Sequence, residues 1–260
     1  MFFIVWGVRE TLATPQTYDG GIHMHMDKEV LRSNYCNRDY EYHLLGSVNE
    51  ANGKVNLLYV QDGGDYLELG EIEKVYNSLI RMYKEQGENL ICVLVSPGDS
   101  IERWHSYDRR GANFNNYISF FNEELVPFVE EKLNLQVGKR GLLGDSLGAN
   151  ISLNIAMQKP ENWSHLLLQS SAISPRELSD LEGFSTLPWH VYQTVGIYED
   201  EFISPISNEK LYIYSRNQKM YQIFKGKNTD IEYKVQEENH LWDFWRRDLP
   251  TALQYFLNNG

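Results

Sequence analysis

Among the 260 residues, the segment 141–150 reads Gly-Leu-Leu-Gly-Asp-Ser-Leu-Gly-Ala-Asn and places Ser146 in a G-x-S-x-G frame. A serine hydroxyl is a poor nucleophile near neutral pH, so it reacts only where a base takes its proton and a carboxylate orients that base. The frame suits that chemistry. A short apolar strand precedes it and an amphipathic helix follows, and at such a junction the chain turns so sharply that the serine adopts a strained backbone conformation. Bulky side chains at Gly144 or Gly148 would collide with the adjoining strand and helix. Ser146 then projects over the carboxyl edge of a sheet, with the Leu147 N–H and the helix N-terminus beside it as donors to an oxyanion. The same letters occur in ordinary turns where serine caps a helix, but the strand before and the helix after favour the nucleophile. Asp145, the variable position of the frame, is read as a brace for the turn.

Seven histidines could supply the base. In this arrangement the chain order is serine, acid, histidine, with the histidine on a loop after the last strand. His23, His25, His43 and His105 precede Ser146 and fail the order. His165 opens the strand directly after the elbow helix, and His190 opens the next-to-last strand at its amino end, away from the active edge. His240 remains, between a strand expected over 231–235 and a terminal helix over 241–257. The acid belongs after the strand over 190–195, where Glu199, Asp200 and Glu201 stand in succession. Their spacing does not choose among them.

The elements that position these groups alternate along the chain. Residues 40–45 and 55–60 read as neighbouring early strands, with Asn52-Gly53 as turn chemistry between them. Apolar residues three and four apart predict helices over 71–84 and 115–133, and Pro127 predicts a kink in the second. Strands follow at 90–95, 141–143 and 165–169, with helices over 146–157 and 208–224, and Pro250 predicts a break in the last helix. Strands alternating with helices call for an α/β protein with a mostly parallel sheet covered on both faces.

Composition excludes several classes. The 24 Lys and Arg against 36 Asp and Glu leave a charge of −12, which argues against a nucleic-acid partner because polyanion affinity rests on many cations. The 42% hydrophobic content is too high for a disordered chain, and no stretch of about eighteen apolar residues exists to cross a membrane. Cys36 and Cys92 make neither a disulfide framework nor a C-x-x-C site, and a cytoplasmic location is expected. Residues 1–27 are read as a flexible N-terminal extension. Their His23-Met24-His25-Met26 run has a His-x-His pair without a third ligand at recognisable spacing, so no metal is expected; Met24 or Met26 is a candidate original start.

Several segments in the same order carry a family resemblance. Residues 58–66, with Asp62-Gly63-Gly64, resemble a strand ending in a glycine-bearing oxyanion loop; 103–107 and 117–127 resemble a surface loop and a helix ending in E-L-x-P; 240–245 resemble a histidine followed by an aromatic-rich helix. With the elbow and the acid loop, these make the chain resemble the putative esterase family of α/β-hydrolases, which includes esterase D-like, feruloyl and siderophore esterases and mycolyltransferases. The resemblance implies one α/β-hydrolase domain over 28–260. It implies Glu199 as first choice of acid, from a glycine plus three offset, with Asp200 second, and a Gly63 or Gly64 N–H to complete the oxyanion hole with Leu147. Asp62 stands where many relatives carry histidine.

The function so implied is hydrolysis of a small-molecule ester through an acyl-enzyme on Ser146, with His240 as base and no metal or organic cofactor needed. An acyltransferase with the same triad, or a non-catalytic α/β-hydrolase-like binding protein, are the alternatives. Arg103, Trp104 and Tyr107, with Arg109 and Arg110, are read as entrance residues for an anionic or aromatic substrate.

Overall fold

Two runs rich in aliphatic residues set the centre of the molecule. Lys54–Gln61 forms β4 and Leu90–Ser96 forms β5, each buried along nearly its whole length. Strands buried on both faces require helices above and below, the condition a parallel sheet meets. The computed structural model describes residues 17–18, 21–49, 54–84 and 89–259. Within them β4 pairs in parallel with β5 and with β6, Gln136–Asp145. The parallel array continues through β7 (His165–Gln169), β8 (His190–Gly196) and β9 (Asp230–Gln236). On the other side β3 (Arg38–Asn49), β2 (Gly21–Ser33) and β1 (Thr17–Tyr18) run antiparallel to their neighbours, so the order is β1-β2-β3-β5-β4-β6-β7-β8-β9.

The expected adjacency of residues 40–45 and 55–60 is thus corrected. Central β5 needs a hydrogen-bonding partner on each edge, and it takes β3 on one and β4 on the other. The Asn52-Gly53 turn lies outside the described residues. So do residues 1–16 and the side chains of His23 and His25, whereas the backbone of 21–27 belongs to β2, with Gly21 opposite Asn49.

Alternate residues of each central strand enter two different cores. Leu57, Tyr59, Val93 and Leu142 face helices α3 (Ser100–Tyr107), α4 (Phe114–Phe120), α5 (Val126–Leu133) and α6 (Ser146–Gln158). Leu58, Val60, Leu94 and Leu143 face α2 (Ile72–Lys84) and α9 (Trp242–Asn258). At Pro127, which lacks an N–H, the ladder is interrupted by a π-helical turn at Phe121–Leu125 directly before α5. Pro250 makes no such break. Buried Leu249, Ala252, Leu253 and Phe256 hold α9 on the sheet through it. The helix expected from 208 begins at Ile213 as α8 (Ile213–Gly226), because Asn208 and Tyr212 both take positive φ, +54° and +48°, in a turn closed by an Ile203–Lys210 bridge.

His165, expected at the start of β7, is wholly buried and stacks on His190 with ring centroids 4.9 Å apart. Burial, and after it the neighbouring His190, pulls its pKa down from 6.5 to about 4. The folded chain therefore disfavours the imidazolium: this contribution to stability is complete above the unfolded pKa and is lost as pH falls from 6.5 towards 4. Between pH 7 and 4.5 the wild type should lose about 2 kcal/mol more unfolding free energy than His165→Gln, read by urea titration. Equal losses would contradict this role.

Candidate active site

β6 ends at Asp145 and α6 starts at Ser146 with no residue between them. The reversal from extended to helical backbone falls on Ser146, whose φ is +50°. Close packing makes the two flanking glycines necessary: a Cβ on Gly144 would collide with the carbonyl carbon of Gly148, and one on Gly148 would lie 2.6 Å from Asp62 Oδ2. The sharp turn leaves the Ser146 hydroxyl pointing at the segment between β9 and α9. There His240 Nε2 lies 2.8 Å from Ser146 Oγ.

His240 is held on both sides and behind. Its ring lies 4.3 Å from that of Phe202 and 4.8 Å from that of Trp245, and its Nδ1 is 2.8 Å from Glu199 Oε2. Glu199 is completely buried in a 3₁₀ turn, Glu199–Glu201, just after β8. An isolated buried carboxylate would be expensive, but its second oxygen accepts from the Ser170 hydroxyl at 2.7 Å and from the Gly196 N–H at 2.8 Å. Ser170 is fixed in turn. It follows β7 at φ +50°, its N–H donates to the Thr194 carbonyl, and its Oγ accepts from Trp245 Nε1 at 2.9 Å. A Cβ on Gly196 would collide with the Glu238 carbonyl, so the loops after β8 and β9 touch backbone to backbone.

Among the three consecutive carboxylates only Glu199 reaches the histidine. Asp200 accepts from the Ser215 N–H at 2.9 Å and hydroxyl at 2.5 Å, in the first turn of α8, and exposed Glu201 pairs with Lys210 at 3.1 Å.

The residues expected as oxyanion donors stand in the two turns that meet at the elbow. Leu147 is in the first turn of α6, while Gly63 and Gly64 open a short helix, α1 (Gly63–Glu68), after Asp62, which has φ +56°. The contact of Asp62 with Gly148 brings the β4–α1 turn against the elbow.

Of the expected entrance groups, Tyr107 is fully buried, whereas Arg103 is partly exposed and borders a small cavity beside Gly64. They occupy α3, where a spacing of four places both on one helix face, the face that packs towards Gln61 and Asp62. Arg103 forks onto Asp62 at 2.8 and 2.6 Å, and Tyr107 is fully buried with its hydroxyl donating to Gln61 Oε1 at 3.0 Å. Asp145 lies 3.9 Å from the same guanidinium, and burial, followed by the charge of Asp62, pushes its carboxyl well above the usual carboxylate range. The cluster clamps the ends of β4 and β6 behind the elbow. Half-buried Trp104 packs edge-on against His105, under Arg110.

Arg109 and Arg110 do border a cavity of about 530 Å³ that also takes in Leu147 and Ala172. The Ala172 N–H donates to the Ser146 carbonyl at 2.9 Å, so the cavity begins beside Ser146, the residue next to Leu147 in the elbow. Among the described residues no group of three His, Cys, Asp or Glu side chains could hold a metal ion, and no helix is long and apolar enough to cross a membrane.

A mostly parallel sheet with a strand–serine–helix elbow at its carboxyl edge defines an α/β-hydrolase fold. Residues 33–256 match the family model described as Putative esterase, and the chain belongs to that family. Family membership supports an enzyme acting on esters. The uncharacterized protein YjcH of Bacillus subtilis (strain 168) is 28% identical over 207 residues, which cover 78% of this chain and 85% of that protein. Enterochelin esterase of Shigella flexneri superposes with a TM-score of 0.74 at 18% identity, covering 94% of this chain and 60% of that one, so the chain spans about three fifths of its length. The siderophore hydrolase EstA of Aspergillus nidulans gives a TM-score of 0.70 at 15% identity, with 96% and 99% covered.

Proposed function

We propose that the protein is a serine esterase that hydrolyses a small-molecule carboxylic ester through an acyl-enzyme intermediate. The observation that carries this reading is the continuous hydrogen-bond path from Ser146 Oγ through His240 to Glu199, with 2.8 Å at each step. His240 Nε2 takes the Ser146 proton as Oγ attacks the ester carbonyl carbon. Glu199 holds Nδ1–H in place and offsets the imidazolium charge. The Leu147 N–H, with that of Gly63 or Gly64, receives the negative charge that develops on the carbonyl oxygen, each donor worth about 3 kcal/mol in the transition state. As the tetrahedral intermediate collapses, His240 gives its proton to the leaving alkoxide. Water, deprotonated by the same nitrogen, then attacks the acyl carbon and releases the acid and free Ser146.

No step calls for a metal or organic cofactor. The two unpaired thiols, Cys36 and Cys92, are compatible with a reducing, cytoplasmic setting.

The test is hydrolysis of a panel of 4-nitrophenyl esters of graded acyl length, with feruloyl and siderophore esters included. Ser146→Ala should lower kcat on the best of them by about 10⁴-fold or more. Unchanged turnover in that variant would overturn the reading.

A further inference from the structure

The cavity beside Ser146 is lined by more cations than carboxylates, in an acidic chain. The chain carries a charge of −12, yet the cavity is lined by five cations, Arg109, Arg110, Arg176, Lys210 and Arg216, against three carboxylates, Asp108, Glu177 and Glu209. Pairing accounts for three of those cations. Arg109 binds Glu177 and Asp180, Arg110 binds Asp108 and Glu209, and Lys210 binds Glu201.

Arg176 and Arg216 are left over. Neither has a carboxylate within ion-pair distance among the described residues. Arg176 is exposed at the start of α7 (Pro175–Glu182). Arg216 is half-buried on α8; its guanidinium donates to the Ile173 carbonyl at 3.3 Å and lies 5.9 Å from the centre of the Tyr212 ring. Ile173 follows Ala172, whose N–H holds the Ser146 carbonyl, so Arg216 is anchored one residue from a direct contact of the elbow. Burial lowers its pKa, and the charges of Glu177, Asp200 and Glu209, none of them in direct contact, offset that only in part. A planar guanidinium so placed is suited to a planar anion that can accept two parallel N–H bonds.

We propose that this cavity binds a carboxylate carried by the ester substrate, with Arg216 as the anchoring group and Arg176 at the mouth. The proposal rests on the serine-esterase reading and adds the substrate class to it: esters bearing a free carboxylate on the acyl or the alcohol portion. Arg109 and Arg110, neutralised by their own partners, shape the wall.

Two matched pairs of esters test it. Mono-4-nitrophenyl glutarate against its methyl ester places the anion on the acyl side, and 4-acetoxybenzoate against methyl 4-acetoxybenzoate places it on the leaving group. The readout is the ratio of kcat/KM for the anionic over the neutral member. In the wild type the ratio should exceed about ten in at least one pair, and Arg216→Gln should lower it about ten-fold or more. Arg216→Lys, which keeps the charge and loses the fork, should fall between them. Lys219→Gln, exposed one turn further along α8, should leave the ratio unchanged. A wild-type ratio at or below one in both pairs overturns the proposal even if no Arg216 variant folds, and so does a ratio that survives Arg216→Gln. Failure of the underlying reading looks different: Ser146→Ala would then still hydrolyse the neutral esters.

Discussion

Glu199→Gln is expected to lower kcat for ester hydrolysis by about 10⁴-fold, while Asp200→Asn stays within about five-fold of the wild type. The contrast follows from what each carboxylate touches. Glu199 faces His240 Nδ1 with one oxygen and is fixed at the other by Ser170 and Gly196, so the Gln amide fits the same space. It brings no negative charge to offset the imidazolium, and an amide NH₂ turned towards Nδ1 would favour the tautomer whose Nε2 carries the proton. That tautomer cannot accept from Ser146. Asp200 caps the first turn of α8 through Ser215, so Asp200→Asn should weaken that turn without touching the histidine. Steady-state kinetics on one 4-nitrophenyl ester, with thermal melts confirming folding, decide the matter. Near-normal turnover by Glu199→Gln would remove it from the triad.

The second large effect concerns how Ser146 and His240 act together. His240→Ala alone should lower kcat by about 10⁴- to 10⁶-fold, and the double variant Ser146→Ala/His240→Ala should lie within about ten-fold of the worse single one. Each group is useless without the other. In the proposed mechanism the hydroxyl attacks only as its proton leaves for Nε2, 2.8 Å away, so removing the second partner would remove nothing that was still working. Residual activity would come from the oxyanion donors and substrate binding. Effects that multiply in the double variant would mean that the two side chains act in separate steps.

The sequence exposed those parts of the site that depend on local steric rules. Ser146 was legible because a strand-to-helix reversal needs small residues at 144 and 148, and only two glycines around a serine meet that need. His240 followed from chain order, because parallel strands deliver their loops to one edge in sequence. Glu199 was not separable from Asp200 and Glu201 by spacing. In the fold Ser170 and the Gly196 N–H hold Glu199 against His240, and the turn directs the neighbouring carboxylates to Ser215 and Lys210.

Contacts distant in sequence were the other blind spot. The bond of Arg103 to Asp62, 41 positions away, left no local trace in the sequence. The helices α3 and α7 did leave a signal, since Asp99 with Glu102 and Ser174 with Glu177 form capping boxes at their starts. The cationic cavity could not be read at all, because its lining comes from segments near 109, 176 and 216 that meet only in the fold.

The central claim is that Ser146 is the nucleophile, and covalent trapping tests it most directly. Treatment with a fluorophosphonate, followed by intact-mass and peptide mapping, should give one adduct per chain, on the peptide containing Ser146, with activity lost in step. Ser146→Ala should remain unlabelled. Stoichiometric inactivation with the adduct on another residue, or an active enzyme that takes up no label, would contradict the account.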